Sequence, residues 1–166
     1  MDLIVTPDGT LRFDGSPLRC ALGRGGVRAD KREGDGATPA GDFALRRLFY
    51  RADRIAPPKS GLALQALRPN DGWCDDPTRP EYNTFVPLPF DGRHEKLWRD
   101  DALYDIIGVI GYNDRPVKPG LGSAIFLHVA AADYTPTEGC VALAIDDLVH
   151  VIALCDATTR IRILDR

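Results

Sequence analysis

Two residue types capable of acyl chemistry stand near each other in "IFLHVAAADYTPTEGC": His128 at the end of an apolar run, and Cys140 twelve positions later. A free thiol titrates near ~8.5, so at neutral pH it needs a neighbouring base or imidazolium to act as a nucleophile. A strand, a loop and a return can bring the two side chains together. Gly139 frees the backbone for a tight turn before the cysteine, and amides at such a turn can point at a developing oxyanion. Spacing alone leaves other readings open. A histidine ending an apolar strand is commonly structural, and free cysteine is among the most buried residue types, so from its neighbours alone a packed core thiol leads over a nucleophile or a disulfide partner for Cys140. A metal site of His128 and Cys140 with Asp133 or Glu138 lacks recognisable ligand spacing.

The other candidates separate by context. Cys20, Cys74 and Cys155 with Cys140 are too few and too scattered for a disulfide framework, and no CxxC pair suggests a zinc ribbon. Cys74 lies beside two acids in "WCDD", which disfavours its thiolate; Cys20 falls in an apolar strand. Cys155 falls on the apolar stripe of a helical pattern, with His150 on the wetter side. His94, in "GRHEKL", is expected to be exposed. The basic, glycine-rich "GRGGVRADKREGDGATPAGDFAL" (23–45) has neither a GxxxxGK[ST] pattern nor a GxGxxG between strand and helix, which discounts nucleotide binding.

The elements that must position these residues are short strands. "LIVT" and "TLRF" flank "PDG", and "FDGSPLRCALG" repeats strand, Asp-Gly turn and strand. Further strands are expected at 42–50, 62–67, 105–112, 124–130 and 160–165. One helix is expected in "AIDDLVHVIALCDA", with Asp146 and Asp147 in its first turn. Residues 68–101 are proline-rich and aromatic without clear period, and read as a long ordered loop covering a site. The pattern is mainly β, a sandwich or partly closed barrel with one helix in the C-terminal half, and residues 1–166 read as a single domain.

Composition excludes several function classes. The net charge is -3, and the 21 Lys and Arg are interspersed with 24 acids, so no basic stripe for nucleic acid is present. No stretch approaches the ~18 apolar residues of a membrane span. The start, "MDLIVTPDGTLRFDG", reads as a first strand without the basic leader of a secretory signal. The expectation is a cytoplasmic protein as written, periplasmic if a leader has been removed.

The blocks "KREGDGATPAGDFAL", "GSAIFLHVA" and "TEGCVAL", in that order, resemble the catalytic domain of the L,D-transpeptidases, cysteine enzymes of bacterial peptidoglycan metabolism. The resemblance runs from Gly23 to about Leu148. It implies a β-sandwich-like domain in which the cysteine of a Ser/Thr-His-Gly-Cys motif attacks the carbonyl of an L,D-peptide bond. Carried onto this chain, it implies Cys140 as nucleophile and His128 as base. It also implies oxyanion amides from Gly139 and Cys140, and Thr137 at the Ser/Thr position. Two positions depart from the pattern: Glu138 stands where the motif has histidine, and Ala142 where Arg or Asn often follows.

By the same resemblance, "NDGWCDDPTRPEYN" and "IGYN" place Trp73, Tyr82, Asn83 and Tyr112 around a peptide stem, whereas Trp98 and Tyr104 are expected to pack in the core. A substrate carboxylate calls for a guanidinium, for which Arg51, Arg54 and Arg99 are candidates. The implied partner is a peptidoglycan stem peptide or soluble muropeptide, with no cofactor and no metal. The implied reactions are L,D-transpeptidation or L,D-carboxypeptidation; the alternative is a catalytically silent peptidoglycan-binding module.

Overall fold

A computed structural model describes residues 2–166. Its first three strands, β1 (Asp2–Thr6), β2 (Thr10–Phe13) and β3 (Ser16–Ala21), form the expected antiparallel meander. β4 (Val27–Arg28) and β5 (Thr38–Pro39) make a small parallel pair, followed by β6 (Gly41–Tyr50) and β7 (Leu64–Ala66). Then come β8 (Asp71–Cys74), β9 (Phe85–Pro87), β10 (His94–Lys96), β11 (Ile106–Ile110), β12 (Phe126–Val129) and β13 (Val141–Leu143). The chain ends with α1 (Ile145–Ala153) and β14 (Arg160–Ile163).

Nine strands form one sheet in the order β11-β12-β13-β3-β2-β1-β14-β6-β7. β6 closes it. Its first half pairs with β14, and its second half with β11, so the sheet returns on itself as a barrel-like sandwich with no free edge between those strands. Alternation sorts the side chains. Leu3 and Val5 of β1, Leu11 and Phe13 of β2, and Ile161 and Ile163 of β14 point into one core, which α1 covers with Leu148, Val151 and Ile152. α1 ends at Ala153, so Cys155 lies beyond it, still buried, with its Sγ donating to Val151 O at 3.2 Å.

A second core lies on the opposite face of β11 and β12. Ile107, Val109 and Phe126 meet Phe49, Leu67, Trp73, Leu97 and Tyr104 there. The lid over them is the segment 68–101. It covers a site as expected, but it is not a structureless loop: β8, β9 and β10 form a three-stranded sheet in the order β10-β8-β9. Strands of three or four residues, broken by prolines and without alternation, escape a periodicity reading. With covers on both faces, every residue of β11 and β12 is buried.

Asn83 pins the lid to the main sheet. Its Oδ1 accepts from Trp73 Nε1 and from the Ala124 amide, both at 3.0 Å. Its Nδ2 donates to the carbonyls of Tyr112 and Asn113 at 3.0 and 2.8 Å. All four capacities of the amide are used. The residue also adopts a φ of 57°, a left-handed conformation that asparagine tolerates well. Replacing Asn83 by Ala leaves several buried groups unpaired and is expected to cost roughly 3 kcal/mol. Urea unfolding of the two proteins checks this.

Candidate active site

β12 and β13 run side by side in parallel, with His128 opposite Ala142 and Leu127 opposite Val141. Partners in register point to the same face, and residues two apart in an extended chain do too. Phe126, His128, Cys140 and Ala142 therefore share the face that looks at the lid. Leu127, Val141 and Leu143 serve the other core. Between lid and sheet is a cleft of about 690 Å³ that His128, Cys140 and Ala142 all line. The structure thus brings the two sequence candidates into one concavity.

The loop before Cys140 is held from several directions. Thr137 N–H donates to Leu22 O at 2.9 Å, and Arg24 N–H to Thr137 O at 2.8 Å. Thr137 Oγ1 donates to Cys140 O at 2.7 Å and accepts from Gly139 N–H at 3.1 Å. Gly139 has a φ of 136°, and a Cβ there would lie 2.7 Å from Ala37 O, so only glycine fits. Its amide is engaged by Thr137, so any oxyanion role for Gly139 requires that bond to open. Glu138 faces solvent at the rim, where both its oxygens accept from Arg24 Nε at 3.0 Å. Asp133 accepts from Thr135 instead, so the sequence-level metal group of His128, Cys140, Asp133 and Glu138 is not assembled. Among the described residues no cluster of three or more His, Cys, Asp or Glu could hold a metal.

Cys140 is 7% exposed. Its Sγ accepts from Phe126 N–H and donates to Ala124 O, both at 3.3 Å. Burial pushes the thiol up to about 12, with the Glu95 carboxyl adding to it. His128 donates from Nδ1 to Val129 O at 2.8 Å. A carbonyl can only accept, so Nε2 is the basic atom. Burial holds the imidazole below its ordinary value, against the pull of the Val129 and Leu103 carbonyls. At neutral pH both groups are uncharged: a thiol beside a base, rather than a thiolate–imidazolium pair. All four cysteines are free and buried, and burial also raises Cys20 to about 12 and Cys155 to about 11.

Other candidates sit elsewhere. Trp73, Asn83 and Tyr112 line a separate, smaller cavity of about 270 Å³ and do not reach the Cys140 cleft. Tyr82 is 2% exposed, donating to Glu33 and accepting from the Gly122 amide at 2.9 Å. Tyr112 donates to Leu121 O. These four are braces of the lid, because every polar atom named is spent on protein. Arg51 is buried and bidentate on Asp53, its guanidinium 3.6 Å from the Trp98 ring centre. Arg54 binds Asp105 and the Asp100 and Asp101 carbonyls. Neither lines the cleft. Arg99 does, over the Tyr104 ring.

Several cleft residues were not foreseen. Tyr104 lines it, its ring edge-on to His128 with centroids 5.2 Å apart. Its hydroxyl donates to Glu95, which faces the cleft from β10. His94, Arg93, Lys31 and Glu33 are also there; His94 is half-buried rather than exposed, edge-on to Phe90. No local signal marks Glu95, because β10 is three residues long and its place is set by pairing with β8.

A closed, mainly β sheet thus opens a thiol and an imidazole into one cleft. The sequence model of the YkuD family, the L,D-transpeptidase catalytic domain, matches residues 2–163, and the chain belongs to that family. No curated protein matches the sequence. Among solved structures the chain is similar to an L,D-transpeptidase from Mycobacterium smegmatis. That match has 13% identity and a TM-score of 0.45, and covers 98% of this chain and 58% of that one. It is also similar to L,D-transpeptidase 3 from Mycobacterium tuberculosis, with 11% identity and a TM-score of 0.46, covering 99% and 60%. The chain spans less than two thirds of the length of either.

The raised thiol has a measurable consequence. Below its titration point the thiolate fraction grows tenfold per pH unit, so alkylation of Cys140 by iodoacetamide is expected to accelerate about tenfold per unit between pH ~7 and ~10. Peptide mass mapping of the alkylated protein reads the rate at that site. A plateau above about pH 9 would mark an ordinary thiol instead.

Proposed function

We propose that the protein is a cysteine acyl-transfer enzyme acting on L,D-peptide bonds of peptidoglycan stem peptides. The observation that carries this reading is the cleft shared by Cys140 and His128 from adjoining strands, in a chain that belongs to the L,D-transpeptidase catalytic domain family. Cys140 Sγ attacks the carbonyl of the L-centre of a diamino acid joined to a terminal D-amino acid. His128 Nε2 takes the Sγ proton and returns it to the departing amine, so the C–N bond breaks as the thioester forms. Backbone amides at Gly139 and Cys140 take the oxyanion, with Thr137 releasing Gly139 as substrate enters.

Starting from an uncharged pair suits such a mechanism. The proton moves only when a carbonyl is in place to receive the sulfur, which limits oxidation of the resting thiol. An amine acceptor then gives transpeptidation, and water gives L,D-carboxypeptidation. The compartment decides between them, since a crosslinking enzyme meets polymeric peptidoglycan in the periplasm and a cytoplasmic one meets soluble muropeptides. Among the described residues no helix is long and apolar enough to cross a membrane. A second reading, a silent peptidoglycan-binding module, is favoured by one observation: the resting Sγ is bonded to Ala124 O and Phe126 N–H rather than to the imidazole.

Incubation with a disaccharide-tetrapeptide, read by mass, separates these readings. Loss of the terminal D-residue, or its exchange for an added D-amino acid, is expected from the native protein. Cys140→Ala is expected to abolish both, and His128→Ala to slow them by at least about 10²-fold. Turnover that survives Cys140→Ala would rule the mechanism out; a native protein that only binds would support the silent module.

A further inference from the structure

The lid contributes one carboxyl to the cleft that the steps above do not use. Glu95 stands on β10 opposite Trp73 of β8 and lines the same concavity as Cys140 and His128. One oxygen accepts the Tyr104 hydroxyl, and the Tyr104 ring leans edge-on against His128. The other oxygen makes no hydrogen bond or ion pair among the described residues, although it belongs to a half-buried side chain. The arginines nearby are committed elsewhere. Arg99 is bidentate on Asp101, and Arg93 binds Asp75 with Glu33 at 3.9 Å. Lys31, the other cation of the cleft, is held by Asp35 at 2.9 Å.

The unpaired oxygen belongs to a side chain that lines the cleft, and no lysine or arginine there forms an ion pair with it. We propose that Glu95 receives the acceptor amine: its unpaired oxygen binds the incoming ammonium and takes a proton from it, making the nitrogen nucleophilic toward the Cys140 thioester. The inference rests on the acyl-transfer reading and deepens it.

The protons balance. The ammonium gives one proton to the Glu95 carboxylate, and the freed amine attacks the thioester carbonyl. The C–N bond forms, the C–S bond breaks, and the nitrogen's second proton passes to the departing sulfur through His128. The amide keeps the third. Glu95 then returns its proton to solvent.

The surroundings set Glu95 up for this exchange. Burial pushes it up to about 7, and Asp75 at the end of β8 and Glu33 from the 23–37 segment add to the rise; Arg99 and the Tyr104 hydroxyl oppose it. Lys96 lies outside the cleft, whereas His94, Arg93 and Lys31 line it together with Glu95, Cys140 and His128. A group titrating near the working pH can both accept and release a proton, as a base in turnover must.

Two acceptors test the proposal. A D-amino acid arrives at neutral pH as an ammonium and needs deprotonation. Hydroxylamine arrives uncharged and does not. With a synthetic tetrapeptide donor, Glu95→Gln is expected to lower the ratio of transfer to D-methionine over transfer to hydroxylamine by roughly 10²-fold. Tyr104→Phe removes the same hydrogen bond but keeps the carboxyl, and is expected to hold that ratio within about threefold, whatever it does to either rate. An unchanged ratio in Glu95→Gln, or an equal fall in the ratio in both variants, overturns the proposal. If native protein gives no product with either acceptor, the acyl-transfer reading itself fails and Glu95 falls with it.

Discussion

The parallel pairing of β12 with β13 is the constraint on which the cleft depends. It sets His128 opposite Ala142, one strand step from Cys140, and so turns base and thiol to the same side. A slip by one residue would send one of them into the opposite core, where Leu127, Val141 and Leu143 already fill the space. The register is protected from both ends. Below, those aliphatic side chains are fully buried; above, Phe126 meets Trp73 and Tyr104 edge-on at 5.2 and 5.9 Å. The turn into β13 is fixed by Gly139, whose backbone conformation and closeness to Ala37 O exclude any side chain.

The same burial that fixes the geometry sets the electrostatics. The thiol loses its solvation, so it stays protonated, and the imidazole loses the stability of its cation. Charges in the cleft are largely spent on one another, Arg93 on Asp75, Arg99 on Asp101 and Lys31 on Asp35. The carboxyl of Glu95 is the exception, and burial pushes it up to about 7. Of the two departures from the family motif, Glu138 serves the rim through Arg24, away from the imidazole. Ala142 keeps the wall opposite His128 small.

Much of this was legible in the residues. The alternating strands β1, β2 and β14, the long β6 and the amphipathic α1 announce themselves by period, and the placement of His128 and Cys140 on neighbouring chain segments follows from strand, loop and return. The roles of Trp73, Tyr82, Asn83 and Tyr112 did not follow. Aromatic rings and amides read the same way whether they line a cleft or brace a lid, and only the partners of Asn83 and Tyr82 distinguish the two. Arg51 and Arg54 were misplaced for a similar reason: a guanidinium that suits a substrate carboxylate suits Asp53 or Asp105 equally well. Tyr104 packs in the core as expected, while Glu95 was hidden because β10 is three residues long and its face is decided by pairing with β8, a long-range contact that no local pattern encodes.

The central claim is that Cys140 carries the acyl group. Acid quenching of the protein during turnover of a tetrapeptide donor, followed by digestion and mass analysis, locates any covalent intermediate directly. The expected result is an adduct on the peptide containing Cys140, with the mass of the donor less its terminal D-residue and the elements of water. Product formation with no adduct on that peptide, or with the acyl group on Cys20, Cys74 or Cys155, would contradict it.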